Sequence, residues 1–498
     1  MTTLAQSSSA RHANGATFAL LLALLTAFRI AALAFNGTDL FFDEAQYWAW
    51  SQDLAFGYFS KPPLIAGLIG LASGLCGDSE FCVRLPSVLV HAGTAIVLLF
   101  LARRLYDARV AFWTGLVFAT LPGVSLSAGI ISTDVPLLFF FALALYAFVV
   151  FLDKRSWGAA LLLAVALGLG LNAKYAMIYF VLGIVVFAVV TPGRRRLLAD
   201  PRLYLALLVG IAFLIPNVLW NLQNGFATVE HTAANAKWTG ALLHPGKGLE
   251  FLGSQFGVFG PVLFVAYLAL LWRSFRHWRG TSEADRLLIA FSLPILLLIT
   301  VQAFLSRAHA NWAATAYVAA TVWVTAALVR DFAGRWLKLS FVLHLLVIIV
   351  IAAGTTLAGR VAPPVGKDPF ARTLGWSDLA GVVRKAVNEA RAKGTPYAAI
   401  VTDTRSLSAE LLYYLRDEAM PIRAWRFPGP PRDHFEMSRP FTAADASGPV
   451  LYVTLREESD AVTGAFATVT PLGEKTVPAG PKESRVLRLF SLSGLKAE

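Results

Sequence analysis

Charge is what this sequence has least of. Asp, Glu, Lys and Arg make up 15% of its 498 residues and hydrophobic residues 57%, whereas charged residues are about a quarter of an ordinary soluble domain. The deficit excludes a soluble protein, and the chain reads as a polytopic α-helical membrane protein. Cysteine is nearly absent too. Cys76 and Cys82, in "GLCGDSEFCVRLP", are the only two; they fit a bridge across a short turn in an oxidising compartment, or two free buried thiols. A good small-residue cleavage site is missing after the first apolar run, Phe18 to Leu33 behind Arg11, so that run reads as a retained helix and not a removed signal peptide. No convincing internal repeat is visible, which speaks against a transporter or lipid flippase built from matching halves.

What is present is a series of apolar runs. Stretches of roughly 17 to 25 residues, the length that crosses a bilayer, fall near 17–36, 85–102, 110–131, 135–152, 157–172, 175–192, 203–220, 250–272, 287–305, 312–329 and 339–359, eleven candidate spans. One set of alternate loops collects Arg103, Arg104 and Arg109; Lys154 and Arg155; Arg194, Arg195, Arg196 and Arg202; Arg273, Arg276, Arg279 and Arg286; and Arg330, Arg335 and Lys338. The opposite loops hold only Lys61, Arg84, Lys174, Lys237, Lys247 and Arg307. Cytoplasmic loops carry the excess of cations, so residues 1–16 are expected inside, the loops 37–84 and 221–249 outside, and the segment beyond residue 360 outside as well. The net charge of +12 then reflects topology and contact with anionic lipid, and nucleic acid is not an expected partner.

Past residue 360 the composition changes. "VAPPVGKDP" has the Pro and Gly content of a linker, and residues 361–498 are expected to form a soluble α/β domain on the periplasmic side. "GWSDLAGVVRKAVNEARAKG" has helical periodicity, "SLSAELLYYLRD" reads as a helix beginning at a Ser, and "YAAIVTD" and "VLYVTL" read as short buried strands. This segment has no nucleophile elbow, Gly-rich phosphate loop or metal-ligand cluster. Its expected role is to cover or shape a site on the outer face, or simply to add stability.

Chemistry is therefore sought where the spans meet the outer loops. Polar groups at membrane depth are costly, and they are usually paired, cavity-lining or functional. Asp43, Glu44, Lys61, Arg84, Asp134, Lys174, His231, Arg307 and His309 all lie on or near the expected outer face. Several have a plain structural reading as well. Asp43 and Glu44 suit the first turn of a helix over "EAQYWAWSQDLAF", with Tyr47, Trp48 and Trp50 facing the headgroup layer. Lys61, held by Pro62-Pro63, can grip a lipid phosphate as a point charge or merely snorkel. Ser132 or Thr133 with Asp134 can cap a helix that has Pro136 in its first turn. In "FLSRAHANWAATAYVA", Arg307 and His309, near Asn311, suit an anionic headgroup better than topology, because the positive-inside bias disfavours them there.

Together "FFDEAQYWAWSQDLAFGYFSKPPL", "RLPSVL", "STDVPLLFF", "GLGLNAKYA", "PNVLWNLQNG", "EFLGSQFGVFGP" and "SRAHANW" resemble the polyprenyl-phosphate-sugar-dependent glycosyltransferases of the GT-C fold. That superfamily includes protein O-mannosyltransferases, lipid A aminoarabinose transferases and lipopolysaccharide galacturonosyltransferases. The resemblance covers about residues 17 to 330. It implies an inverting transferase of the bacterial inner membrane that moves a sugar from an isoprenoid monophosphate to a lipid or glycan acceptor, such as lipid A or lipopolysaccharide core, on the periplasmic face. Asp43 matches the family's first-loop acid, a general base or a group orienting the acceptor hydroxyl, and Asp134 its second acid. Lys61 matches the lysine that holds the carrier phosphate, assisted by Arg307 and Lys174; Glu44, Tyr58, Arg84, His231 and His309 are candidate substrate contacts. Ser60 stands where aminoarabinose transferases have Glu, and "FGYFSKPPL" is similar to the galacturonosyltransferase branch. No cofactor is expected, and a divalent metal is left open. Protein O-glycosyl transfer, transport and a non-catalytic assembly role remain the competing functions.

Overall fold

Inside a bilayer there is no water to satisfy backbone N–H and C=O groups, so apolar runs must close their hydrogen bonds within helices. The computed structural model describes residues 2–236, 243–331, 334–362 and 366–496. Among them, six helices are long and apolar enough to cross a membrane: Gly15–Ala34, Glu80–Leu105, Asp134–Lys154, Pro201–Gln223, Glu283–Leu305 and Gly334–Thr356. Five shorter apolar helices accompany them, Leu64–Cys76, Ala108–Thr120, Trp157–Ala173, Tyr175–Val190 and Ala316–Arg330. Part of the expected loop 221–249, with Lys237, lies outside the described residues.

The breaks fall where backbone chemistry requires them. The expected span 250–272 is two helices, Pro245–Phe259 and Pro261–Arg276, bent by 113°. Gly260 at the joint has φ +89°, open to glycine at little cost, and the following proline cannot donate to continue the ladder. A Cβ on Gly260 would lie 2.6 Å from His344 Nε2, so the bend excludes any larger residue. The expected span 110–131 stops at Thr120 and resumes as Pro122–Ser127, with Leu121 at ψ 138°; a residue before proline is pushed out of the α region. Lys174, extended at φ −162° and ψ 135°, separates the two apolar helices on either side of it. The expected outer loop 37–84 is not all loop. It contains helices Phe42–Ser51 and Leu64–Cys76, and the second, at 13 residues, is shorter than the roughly 20 needed to span.

The chain forms two compact units. The first comprises Met1–Ala34, Lys61–Ile65 and Arg84–Ala352. Its core includes an aromatic stack in which the Phe180 and Phe291 rings are 4.7 Å apart and Phe141 and Phe148 stand edge-on to Phe180. Gly183 admits this stack, since a Cβ there would meet the Phe291 ring at 2.4 Å.

The second unit comprises Phe35–Ser60, Ala66–Val83 and Ala353–Glu498, so most of the expected outer loop belongs with the C-terminal segment and the division does not fall at residue 361. Its five-stranded sheet has the order β2-β1-β3-β5-β4, with β1 Ile400–Thr402, β2 Ile422–Ala424, β3 Val450–Thr454, β4 Phe466–Pro478 and β5 Ser484–Leu495. The first three strands in that order are parallel; β5 runs antiparallel to β3 and forms a hairpin with β4. β1 and β3 are buried at every position, each apolar up to a final Thr, as fits parallel strands covered by helices. Helices Trp376–Ala392 and Arg405–Tyr414 supply Leu379, Val383, Val387, Leu407 and Leu411 to the core beside Ile400, Leu451 and Val453. The second of these begins at Arg405, one residue before the expected Ser; Thr404 precedes it without a side-chain cap. Asp39 caps the other, its Oδ2 accepting the Trp376 N–H at 2.7 Å.

Candidate active site

In the first unit the polar residues of three separate segments meet at Asp134. This residue opens the helix Asp134–Lys154 and is 7% exposed. Lys174 Nζ lies 2.7 Å from its Oδ1, and Asn311 Nδ2 donates to its Oδ2 at 2.6 Å. Thr133 makes no side-chain cap bond, so the helix-capping arrangement expected of Thr133 is not what is built. Lys174, expected to hold a phosphate, has its ammonium on Asp134. The pair is mostly buried, at 19% and 10% side-chain exposure, and removing one partner from such a pair costs about 3–5 kcal/mol.

Asn311 ties Asp134 to the turn that carries Arg307 and His309. Arg307 lies in this turn, after the helix Leu293–Leu305, and its Nε is buried with no hydrogen-bond partner among the described residues. An N–H left without an acceptor costs energy, so this guanidinium is suited to gaining an anion. The His309 ring stands edge-on to Trp312, with centroids 5.4 Å apart. Lys61 is partly buried in the bend before Pro62-Pro63 and belongs to the same unit. Arg84 is 1% exposed within the helix Glu80–Leu105. His231 sits partly exposed on the helix Ala227–Ala236.

The second unit holds the other expected acid. Asp43 lies in the first turn of the helix Phe42–Ser51, and its Oδ1 is 2.9 Å from Arg405 Nη1, with the two side chains 37% and 35% exposed. Its Oδ2 has no partner among the described residues. Glu44 is fully buried, and its Oε2 accepts the Phe41 N–H at 2.9 Å; this carboxylate caps the helix, which is the structural role open to it from sequence.

The aromatic residues of this helix are not in a headgroup layer, as expected, but buried within the unit: Tyr47, Trp48 and Trp50 are 4%, 5% and 1% exposed. A buried indole needs an acceptor, and Trp48 Nε1 finds Asp78 Oδ1 at 2.7 Å. Trp50 stacks on Tyr58 at 4.5 Å, and His434 stands edge-on to both rings. Burial, followed by the charge of Arg439, pushes the His434 imidazole down to about 3. The Tyr58 hydroxyl has its single O–H between the carbonyls of Trp50 and Asp53 and accepts from the Ala55 N–H, so it braces its own loop. The Cys76 and Cys82 sulfurs are at bonding distance, with Cα atoms 5.9 Å apart. Among the described residues, no group of three or more His, Cys, Asp or Glu side chains is arranged to hold a metal ion.

Two residues of consequence were outside the expected set. Asn311 is in "SRAHANW", already singled out, yet nothing in its spacing indicates Asp134 as its partner. Arg405 carries a faint signal: it is a cation at a helix N-terminus, where the macrodipole disfavours one.

This fold is that of a GT-C membrane glycosyltransferase. It matches ArnT from Cupriavidus metallidurans in the apo state with a TM-score of 0.60 and 18% identity, covering 95% of this chain and 98% of that one. The same enzyme bound to undecaprenyl phosphate gives a TM-score of 0.59 at 17% identity, over 95% and 97% of the two chains. The dolichyl-phosphate-mannose-protein mannosyltransferase family matches residues 60–220. The lipid A galacturonosyltransferase RgtD of Rhizobium johnstonii is 38% identical over 90% of this chain and 91% of its own length. The chain therefore belongs to the RgtD family, within the polyprenyl-phosphate-sugar-dependent glycosyltransferases.

Proposed function

We propose that this membrane enzyme transfers galacturonic acid from a polyprenyl phosphate to lipid A at the periplasmic face of the bacterial inner membrane. The observation that carries this reading is the 38% identity to a lipid A galacturonosyltransferase across nine-tenths of both chains. The periplasmic placement rests on the uneven distribution of Lys and Arg among the loops. Cys76 and Cys82, whose sulfurs are at bonding distance, are on this reading a disulfide of that oxidising compartment.

In the proposed mechanism an acceptor hydroxyl attacks the anomeric carbon as the bond from that carbon to the phosphate oxygen breaks. The bonding electron pair leaves with the lipid phosphate, the hydroxyl proton passes to Asp43, and the configuration at carbon inverts. Lys61 and Arg307 stabilise charge growing on the phosphate; Arg307 is suited to this by its buried N–H without an acceptor. Asp43 is suited to the base role because one of its oxygens is held while the other has no partner among the described residues. Asp134 organises the Arg307 turn through Asn311. Donor, acceptor and this chain supply every group the step requires, and no cofactor enters the proposal.

The test is transfer by the purified full-length protein in lipid nanodiscs, given synthetic polyprenyl-phosphate galacturonate and lipid A and read by mass spectrometry. Galacturonate-modified lipid A is the expected product. Transfer to a Ser/Thr peptide, with none to lipid A, would instead assign the chain to protein O-glycosylation.

A further inference from the structure

Helix propensity does not account for Arg405. It occupies the first position of its helix, where the unsatisfied backbone N–H groups already concentrate positive charge. Its hydrogen-bond, ion-pair and ring contacts are with one turn of another helix in the same unit: Nη1 is 2.9 Å from Asp43 Oδ1 and 3.4 Å from Gln46 Oε1, and Cζ lies 4.8 Å over the Phe42 ring; its charge also reaches the Asp433 carboxylate. A planar guanidinium laid on an aromatic face and hydrogen-bonded at its edge is held in one orientation, which an ammonium would not be. The pair with Asp43 is about one-third exposed on both sides, and such pairs add little to stability. What the contact does is hold one side of the carboxylate: Oδ1 faces Arg405, and Oδ2 has no partner among the described residues.

We propose that Arg405 is the positioning residue for the general base, holding Asp43 so that its Oδ2 meets the acceptor hydroxyl. The assignment rests on the reading of Asp43 as the base. It gives the C-terminal segment a part in the chemistry through a side chain that touches no reacting atom. A base misplaced by about 1 Å loses up to roughly 100-fold in rate, and that is the size of effect to look for.

The experiment compares full-length wild type, Arg405→Ala, Arg405→Lys, Asp43→Asn and the double variant in nanodiscs with polyprenyl-phosphate galacturonate and lipid A. Arg405→Ala is expected to lower kcat by roughly 10- to 100-fold with the KM for both substrates unchanged and the thermal unfolding temperature retained. Arg405→Lys recovers part of that loss, and added guanidinium ion restores Arg405→Ala but not Asp43→Asn. The double variant is no slower than Asp43→Asn alone, because the two side chains act as one device. If Arg405→Ala does not fold, Arg405→Gln carries the same expectation. An inactive Asp43→Asn beside an Arg405→Ala with full kcat overturns the positioning role and leaves the base assignment standing. So does a loss confined to KM, which would make Arg405 a substrate ligand. An Asp43→Asn variant with full kcat overturns the base assignment and this proposal together.

Discussion

Asp43 and Asp134 look alike in sequence, each an acid at the entrance of a helix on the expected outer face, and the structure gives them opposite surroundings. Asp134 is buried with Lys174 on one oxygen and Asn311 on the other. Asp43 is partly exposed with Arg405 on one oxygen and no partner on the second among the described residues. The same residue type is thus held in a buried ion pair in one unit and left half-open in the other, where the proposed mechanism uses it as the base. The two acids differ in the occupancy of their oxygens, which position in the sequence does not reveal.

The largest expected effect breaks the buried ion pair. Lys174→Met leaves the Asp134 carboxylate buried without its cation and is expected to lower unfolding stability by about 3–5 kcal/mol, whereas Arg405→Ala, which breaks the more exposed pair at Asp43, should cost no more than about 1 kcal/mol. Denaturant or thermal unfolding of the two variants checks this, and equal small losses would erase the distinction between the acids.

Next in size are the cations assigned to the donor. Removing a charge-assisted hydrogen bond costs about 1.5–3 kcal/mol, so Lys61→Ala and Arg307→Ala should each raise the KM for the lipid donor by roughly 10- to 100-fold. Titration with the polyprenyl-phosphate sugar measures it, and an unchanged donor affinity in either variant takes that residue out of the phosphate clamp.

A smaller effect concerns the unit that holds Asp43. The folded protein keeps the His434 imidazole neutral down to about 3, while the unfolded chain takes up a proton below about 6.5. Between those values the unfolded state binds more protons, so acidification destabilises the fold by up to about 1.4 kcal/mol per pH unit. His434→Phe, which keeps a ring against Trp50 and Tyr58, should flatten the stability profile below about pH 6.5. A profile with its acid slope intact would show that other groups set it.

Much of this was legible from residue patterns. The apolar runs, the parallel strands "YAAIVTD" and "VLYVTL", and the division at Lys174 follow from length, periodicity and chain stiffness, which are local properties. The bend at Gly260 was missed because hydropathy averages across a single Gly-Pro step. The burial of Trp48 and Trp50 was missed for a different reason: an aromatic cluster suits a headgroup layer and a packed interior equally well, and Asp78, thirty residues away, decides between them. Lys61, Asp43 and Arg307 could be singled out because acids and cations are conspicuous in an apolar chain. Arg405 and Asn311 were not, since each gains its meaning from a carboxylate far away in sequence.

The most direct test of the account is Asp43→Asn in the full-length enzyme, assayed for galacturonate transfer to lipid A and for thermal unfolding in the same preparation. Transfer should fall by at least the roughly 100-fold that a general base contributes with the unfolding transition retained. Transfer at the wild-type rate would contradict it.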